Sequence, residues 1–161
     1  MKILGIDPSL SSTGYAVLDE DGKLIDYGKL ISGPTMKEED RICKITNNLK
    51  KIIEKYKIEK VVMESQFFSK NPKTAMQLSR LRGAITYMAR MLECNLFYLT
   101  PAEARKLLIS QGSAKKEDIA KYIRENVVDL GEFIDAKCKD KNSDIYDSIA
   151  IGIAFINKGE E

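Results

Sequence analysis

Residues 3–17 read ILGIDPSLSSTGYAV, and the fold turns on how that stretch is understood. A short apolar run delivers one carboxylate, Asp7. The chain then turns through Pro8, Ser9, Ser11, Ser12 and Gly14 and resumes as Tyr15-Ala16-Val17. An apolar run bounded by turn residues predicts a buried strand over residues 2–7. A buried strand that ends on an acid places that acid on a rigid mount.

Outward from that strand the pattern alternates. Residues 14–31, GYAVLDEDGKLIDYGKLI, predict a hairpin about the Asp21-Gly22 turn. Thr35 followed by Glu38 predicts a capping box. Ile42, Ile45, Leu49, Ile52, Ile53 and Tyr56 then recur at helical spacing, which predicts an amphipathic helix over 37–57. KVVME is a short strand closing on Glu64. The polar-aromatic loop SQFFSKNP leads into a second helix over 73–92, and NLFYL is a further strand.

Thr100 as N-cap, Pro101 at the first helical position and Glu103 two residues on predict a third helix start. GSAKKEDIAKYIRENV predicts another helix behind Ser113, EFIDAKCKDKN a loop, and SDIYDSIAIGIAFIN the last helix. The expected fold class is therefore α/β, with residues 1–161 forming one domain. At 161 residues a chain can bury a substantial core.

Composition narrows the function classes. No apolar run approaches the ~20 residues of a membrane span, and the opening residues do not resemble a secretory signal. Cys43, Cys94 and Cys138 are odd in number and form no CxxC pair, so neither a disulfide framework nor a zinc site is indicated. A cytoplasmic protein is expected. The net charge of +2 conceals an asymmetry: residues 65–116 carry nine Lys/Arg against two acids, +7, and the remainder carries −5. That asymmetry suits a polyanion on one face. Ordinary solvation of helix surfaces would also produce it, and composition does not choose between them.

Asp7 and Glu64 each close a strand. Asp144 and Asp147 stand at i and i+3 at the start of the last helix, so both project from one face. Ile145, Ile149, Ile153 and Ile156 are expected to form that helix's buried side, with Asp147 and Ile151 at its margin. Four carboxylates gathered together repel one another unless a cation sits among them. All-oxygen donors suit Mg²⁺ or Mn²⁺, and two such ions ~4 Å apart clamp the attacking and leaving oxygens of a phosphoryl displacement. The chain contains no His, so imidazole is neither base nor ligand. Singly these acids have ordinary explanations: a helix N-terminus favours Asp144 through its dipole, and Asp7 precedes a Pro in a turn.

The blocks GIDPSLSSTGYAV, ESQFFSKNPKTAMQLSRLRGA, GSAKKEDI and DIYDSIAIGIA, in that order, resemble the RuvC-type Holliday junction resolvases over nearly the whole chain. The resemblance implies a ribonuclease H-like fold, a five-stranded mixed sheet flanked by helices. It implies a homodimer that cuts four-way DNA junctions with two Mg²⁺ ions per site, Mn²⁺ substituting, and leaves 5′-phosphates. Asp7, Glu64, Asp144 and Asp147 match the family's acidic quartet. Phe67 matches an aromatic that stacks on opened bases, Lys116 a lysine near the cleaved strand, and Arg105 a second basic position. Phe68, Lys70, Arg82 and Lys115 are further candidates for DNA contact. DPSLSSTG is closer to the phage and prophage-like branch, whose members cut a wider range of branched DNA. It leaves partnership with a branch-migration motor open.

Rival readings come from other classes. GID before a Ser/Thr/Gly-rich turn also opens actin-like ATPases and sugar kinases, which need about twice this length. A junction-binding protein without cleavage would have no use for clustered acids facing phosphates. A related nuclease acting on ribosomal RNA precursors is a closer alternative, against which FFSKNP and GSAKK favour junction DNA. The helix over 73–92, with Met76, Leu78, Ala84 and Met88, is the candidate dimer interface or, alternatively, ordinary intramolecular packing.

Overall fold

The computed structural model describes residues 1–65, 70–109, 115–131 and 142–159. Its centre is the strand predicted from the opening stretch. Strand β1 (Lys2–Asp7) pairs antiparallel with β2 (Ser12–Asp19), which pairs antiparallel with β3 (Leu24–Ile31). The hairpin turns where Asp21-Gly22 predicted. Gly22 takes φ +81°, and the Asp19 carboxylate accepts from the backbone N–H groups of Asp21 and Lys23 at 3.1 and 2.9 Å. On its other side β1 pairs parallel with β4 (Lys60–Glu64), and β4 pairs parallel with β5 (Asn95–Leu99). The order β3-β2-β1-β4-β5 makes a five-stranded mixed sheet with β1 at its centre.

Alternation along β1 assigns its two faces. Leu4 and Ile6 join Val17, Val61 and Met63 in a core covered by α1 (Glu38–Tyr56) and α2 (Pro72–Met91). Ile3 belongs to the opposite core with Ala16, Val62 and Leu99, under α3 (Pro101–Ile109), α4 (Lys116–Asn126) and α5 (Ser143–Lys158). Gly5 points the same way as Ile3 and lets α5 settle directly on the strand. A Cβ there would overlap the Ser148 carbonyl oxygen and stand 3.1 Å from the Gly152 nitrogen. Gly152 returns the favour by making room for the Leu18 side chain.

Three sequence expectations change. Thr35 and Glu38 form no capping box: the N-cap of α1 is Lys37, with no side-chain cap. Glu38 instead accepts from Arg80 at 2.7 Å and Gln77 at 3.1 Å, so a contact between helices outcompetes a local one. Helix α5 is not a one-sided amphipath. Ile153 and Ile156 are only half-buried, whereas Tyr146, Ser148, Ala150, Ile151, Ala154 and Phe155 are buried, because sheet and helices enclose it. Helix α4 begins at Lys116, with the Asp118 carboxylate accepting from the Lys115 N–H at 2.8 Å; Ser113 lies outside the described residues. The predicted start of α3 is as expected. The Thr100 N–H donates to Glu103 at 2.7 Å, the Glu103 N–H to the Thr100 hydroxyl at 3.1 Å, and these bonds hold the Glu103 carboxyl below its ordinary pKa.

Candidate active site

The four acids predicted from the sequence lie on one side of the sheet, at one end of it. Asp7 is the last residue of β1 and follows Ile3 and Gly5 on the face covered by α5. Ile6 and Met63 are register partners on parallel strands, so Glu64 stands beside Asp7 at the end of the neighbouring strand. Across the other edge of β1, Asp7 pairs with Gly14. Against Gly14 lies Asp144: a Cβ at position 14 would overlap the Asp144 carbonyl and stand 3.1 Å from the Asp144 Cβ. Only glycine lets the start of α5 approach β2 so closely.

One turn further along α5, Asp147 lines a cleft of about 250 Å³ together with Glu64, Thr100, Arg105 and Leu108. All four acids are half-buried. Arg105 is aimed by its own helix, its Nε donating to the Pro101 carbonyl at 3.1 Å. The strand ends thus contribute two carboxylates, α5 two more, and α3 a cation at the rim.

Among the described residues no three acidic side chains already close into a finished metal cage. The convergence is one of the backbone positions that carry them. The donor set nonetheless fits a hard divalent cation, being all carboxylate, half-buried and free of imidazole or thiolate. A single mounting holds the donors, since Asp7 and Glu64 end paired strands and α5 is locked to β1 through Gly5.

The basic candidates divide. Arg105 lines the cleft. Lys70 is exposed just ahead of α2, and Lys115 is exposed at the N-cap of α4. Arg82 is set apart from the cleft, with its guanidinium 5.9 Å over the Tyr98 ring on the opposite side of the sheet. Phe67 and Phe68 lie outside the described residues, as does the side chain of Lys116, whose backbone opens α4. Sequence reasoning placed Ser12 and Gly14 in the turn after Asp7, whereas both lie in β2, and it passed over Gly5 in β1. The signal of these two positions was glycine inside a strand, which marks a close approach by another backbone.

The family model described as crossover junction endodeoxyribonuclease RuvC matches residues 3–155. A protein of that name from Aliarcobacter butzleri is 33% identical over 161 residues, covering 98% of this chain and 99% of the relative. Another from Halothermothrix orenii is 29% identical, covering 98% and 93%. Among solved structures, Thermus thermophilus RuvC in complex with Holliday junction substrate superposes with a TM-score of 0.82 at 23% identity, covering 96% of this chain and 92% of that one. The yeast mitochondrial Holliday junction resolvase Ydc2 superposes at 0.68 and 16% identity, covering 96% and 77%. The shared architecture is the ribonuclease H-like one.

Proposed function

The chain belongs to the RuvC family of crossover junction endodeoxyribonucleases, and we propose that it resolves four-way DNA junctions by paired nicks made where Asp7 adjoins the cleft lined by Glu64 and Asp147. The observation that supports this most is the mounting of Asp7. The central strand ends on it, Glu64 stands beside it on the next strand, and Gly14 admits Asp144 from the other side.

Asp7, Glu64, Asp144 and Asp147 would hold the metal, two Mg²⁺ ions in this reading with Mn²⁺ able to replace them. When bound, such ions lower the pKa of water and stabilise the leaving 3′-oxygen, so that the nick carries a 5′-phosphate. The chain itself orients the reacting phosphodiester. Leu99, Ala104 and Leu108 form the apolar wall behind the carboxylates, and Arg105 meets charge that builds on the phosphate. Lys116, the first residue of α4, matches the family's lysine near the cleaved strand and would add a second cation. Phe67 and Phe68 would stack on bases at the opened crossover, each such contact contributing ~1–3 kcal/mol.

A junction with twofold symmetry requires two cuts related by a dyad, which a homodimer supplies. The outer face of α2 suits that role. Met76, Tyr87 and Met91 are 56%, 69% and 65% exposed and follow one another along a helical stripe with Gly83 between. Met88 and Leu78, also candidates from the sequence, pack into this chain's own core instead. Tyr87→Glu should therefore shift the protein to monomer in sedimentation velocity and turn paired nicks into slow single ones. A Tyr87→Glu protein that remains a dimer with coupled nicking would exclude this face.

The function is tested by nicking of a synthetic immobile four-way junction beside linear duplex, a Y-fork and a flap, in Mg²⁺, in Mn²⁺ and with EDTA. Symmetric paired nicks on the junction that EDTA abolishes are the expected result. Equal cutting of forks would place the protein with broader branched-DNA nucleases, the range the DPSLSSTG turn suggests. Tight junction binding with no cleavage in either metal would make it a binding protein.

A further inference from the structure

The loop that leaves Asp7 has a second face, turned away from the carboxylates. Ser9 and Ser11 form one wall of a separate pocket of about 260 Å³, and Arg41 of α1 with Thr74 and Gln77 of α2 form the other. Arg41 is fixed there by hydroxyls: its Nε donates to the Ser32 hydroxyl at 2.7 Å and its guanidinium reaches Ser11 at 3.4 Å. The Ser32 hydroxyl, 3% exposed with its residue, donates in turn to the Leu10 carbonyl. Among the described residues no carboxylate forms an ion pair with Arg41. The nearest candidate on its own helix face, Glu38, is engaged by Arg80 and Gln77.

A guanidinium carries five N–H donors in a rigid fork, and two hydroxyl contacts leave donors over. The hydroxyls of Ser9, Ser11 and Thr74 offer further donors, and Pro8, Leu10 and Leu78 complete the lining with Gln77. No carboxylate is part of it, the Glu38 carboxylate beside Gln77 being held by Arg80. An arginine with spare donors among hydroxyls suits an oxyanion, and the anion that a DNA-cutting protein meets in quantity is the backbone phosphodiester. Its position relative to Asp7 is set by the chain, because Ser9 lies two residues beyond Asp7 and Ser11 four.

We propose that this pocket is a phosphodiester subsite. It takes a backbone phosphate of the strand being cut, neighbouring the one beside Asp7, and Arg41 is the positioning residue that holds the strand in register. The proposal rests on the junction-nuclease function above. Arg41 also ties the Asp7 loop to β3 through Ser32, so occupancy of the pocket tightens the loop that carries the catalytic aspartate's exit.

The test is the salt dependence of junction binding, measured by fluorescence anisotropy in EDTA between about 50 and 300 mM KCl. Losing one phosphate contact per protomer should flatten the log–log slope by about 0.9 per protomer and weaken binding at low salt by about tenfold. Arg41→Gln should show both. Thr74→Glu should show both as well, by giving Arg41 an internal carboxylate partner without removing its tether. Asn47→Glu, exposed on α1 away from the pocket, controls for the added charge. The proposal is overturned if Arg41→Gln lowers the melting temperature but keeps the wild-type slope, since Arg41 is then a loop tether only. It is equally overturned if Thr74→Glu binds no more weakly than Asn47→Glu. If the wild type cuts no junction, the proposed function has failed; if it cuts and these slopes stay parallel, only the subsite has.

Discussion

Asp7→Asn is expected to reduce junction nicking by at least about a thousandfold, some 4 kcal/mol of transition-state stabilisation, with the fold intact. The change is isosteric and removes one charge from the middle of the donor set. Glu64, Asp144 and Asp147 remain, but Asp7 ends the strand between Glu64 on β4 and Gly14 with Asp144 against it, so its loss would take the middle ligand from the proposed metal site. Asparagine's amide oxygen is a weak ligand for a hard cation, so excess Mn²⁺ should restore little.

Binding should move the other way. On the proposed function DNA phosphates approach all four carboxylates, so neutralising Asp7 should leave junction affinity in EDTA equal or tighter. The melting temperature should stay within about 2 °C, because a half-buried acid among like charges contributes little to stability. Quantified gel nicking beside anisotropy reads both. More than about 1% residual cutting, set against that thousandfold loss, would remove Asp7 from the centre of the chemistry.

The positions of the acids were readable in the sequence because each sits at a boundary that local rules define. Asp7 ends an apolar run, Glu64 ends another, and Asp144 opens a helix. The Asp21-Gly22 hairpin and the Thr100-Pro101-Glu103 helix start were readable for the same reason, since their hydrogen bonds close within four residues. Where partners are distant in sequence the rules fail. Thr35 and Glu38 have the spacing of a capping box, yet Arg80, which lies 42 residues from Glu38, takes the carboxylate.

Helix α5 shows a second kind of failure. Its isoleucines suggested one apolar stripe, but a helix lying on β1 and β2 beneath α3 and α4 is buried on most sides, and small residues such as Ala150, Gly152 and Ala154 decide how close it sits. Arg41 gave no signal whatever. An arginine in the first turns of an amphipathic helix is indistinguishable from a solvated one until Ser11 and Ser32 are seen around it.

Two glycines separate stability from catalysis, and Gly14→Ala should have the larger effect on function. An added methyl at position 14 collides with the Asp144 carbonyl, at the very start of α5, where the neighbour is backbone and cannot rotate away. Relief requires α5 to lift at that end, which carries Asp144 off its place beside Asp7. A displacement near 1 Å costs about a hundredfold in rate, on top of about 1–3 kcal/mol of overpacking strain. Gly5→Ala meets the Ser148 carbonyl and the Gly152 backbone in the middle of the same helix. It should cost comparable stability but, acting further from the acids, much less nicking measured well below its melting temperature. Calorimetry should therefore find the two variants alike while nicking separates them, Gly14→Ala losing far more activity per degree of melting. Equal loss of rate per degree in the two would mean that the glycines serve packing alone and that α5 moves as one body, with Asp144 no more tied to Gly14 than to Gly5.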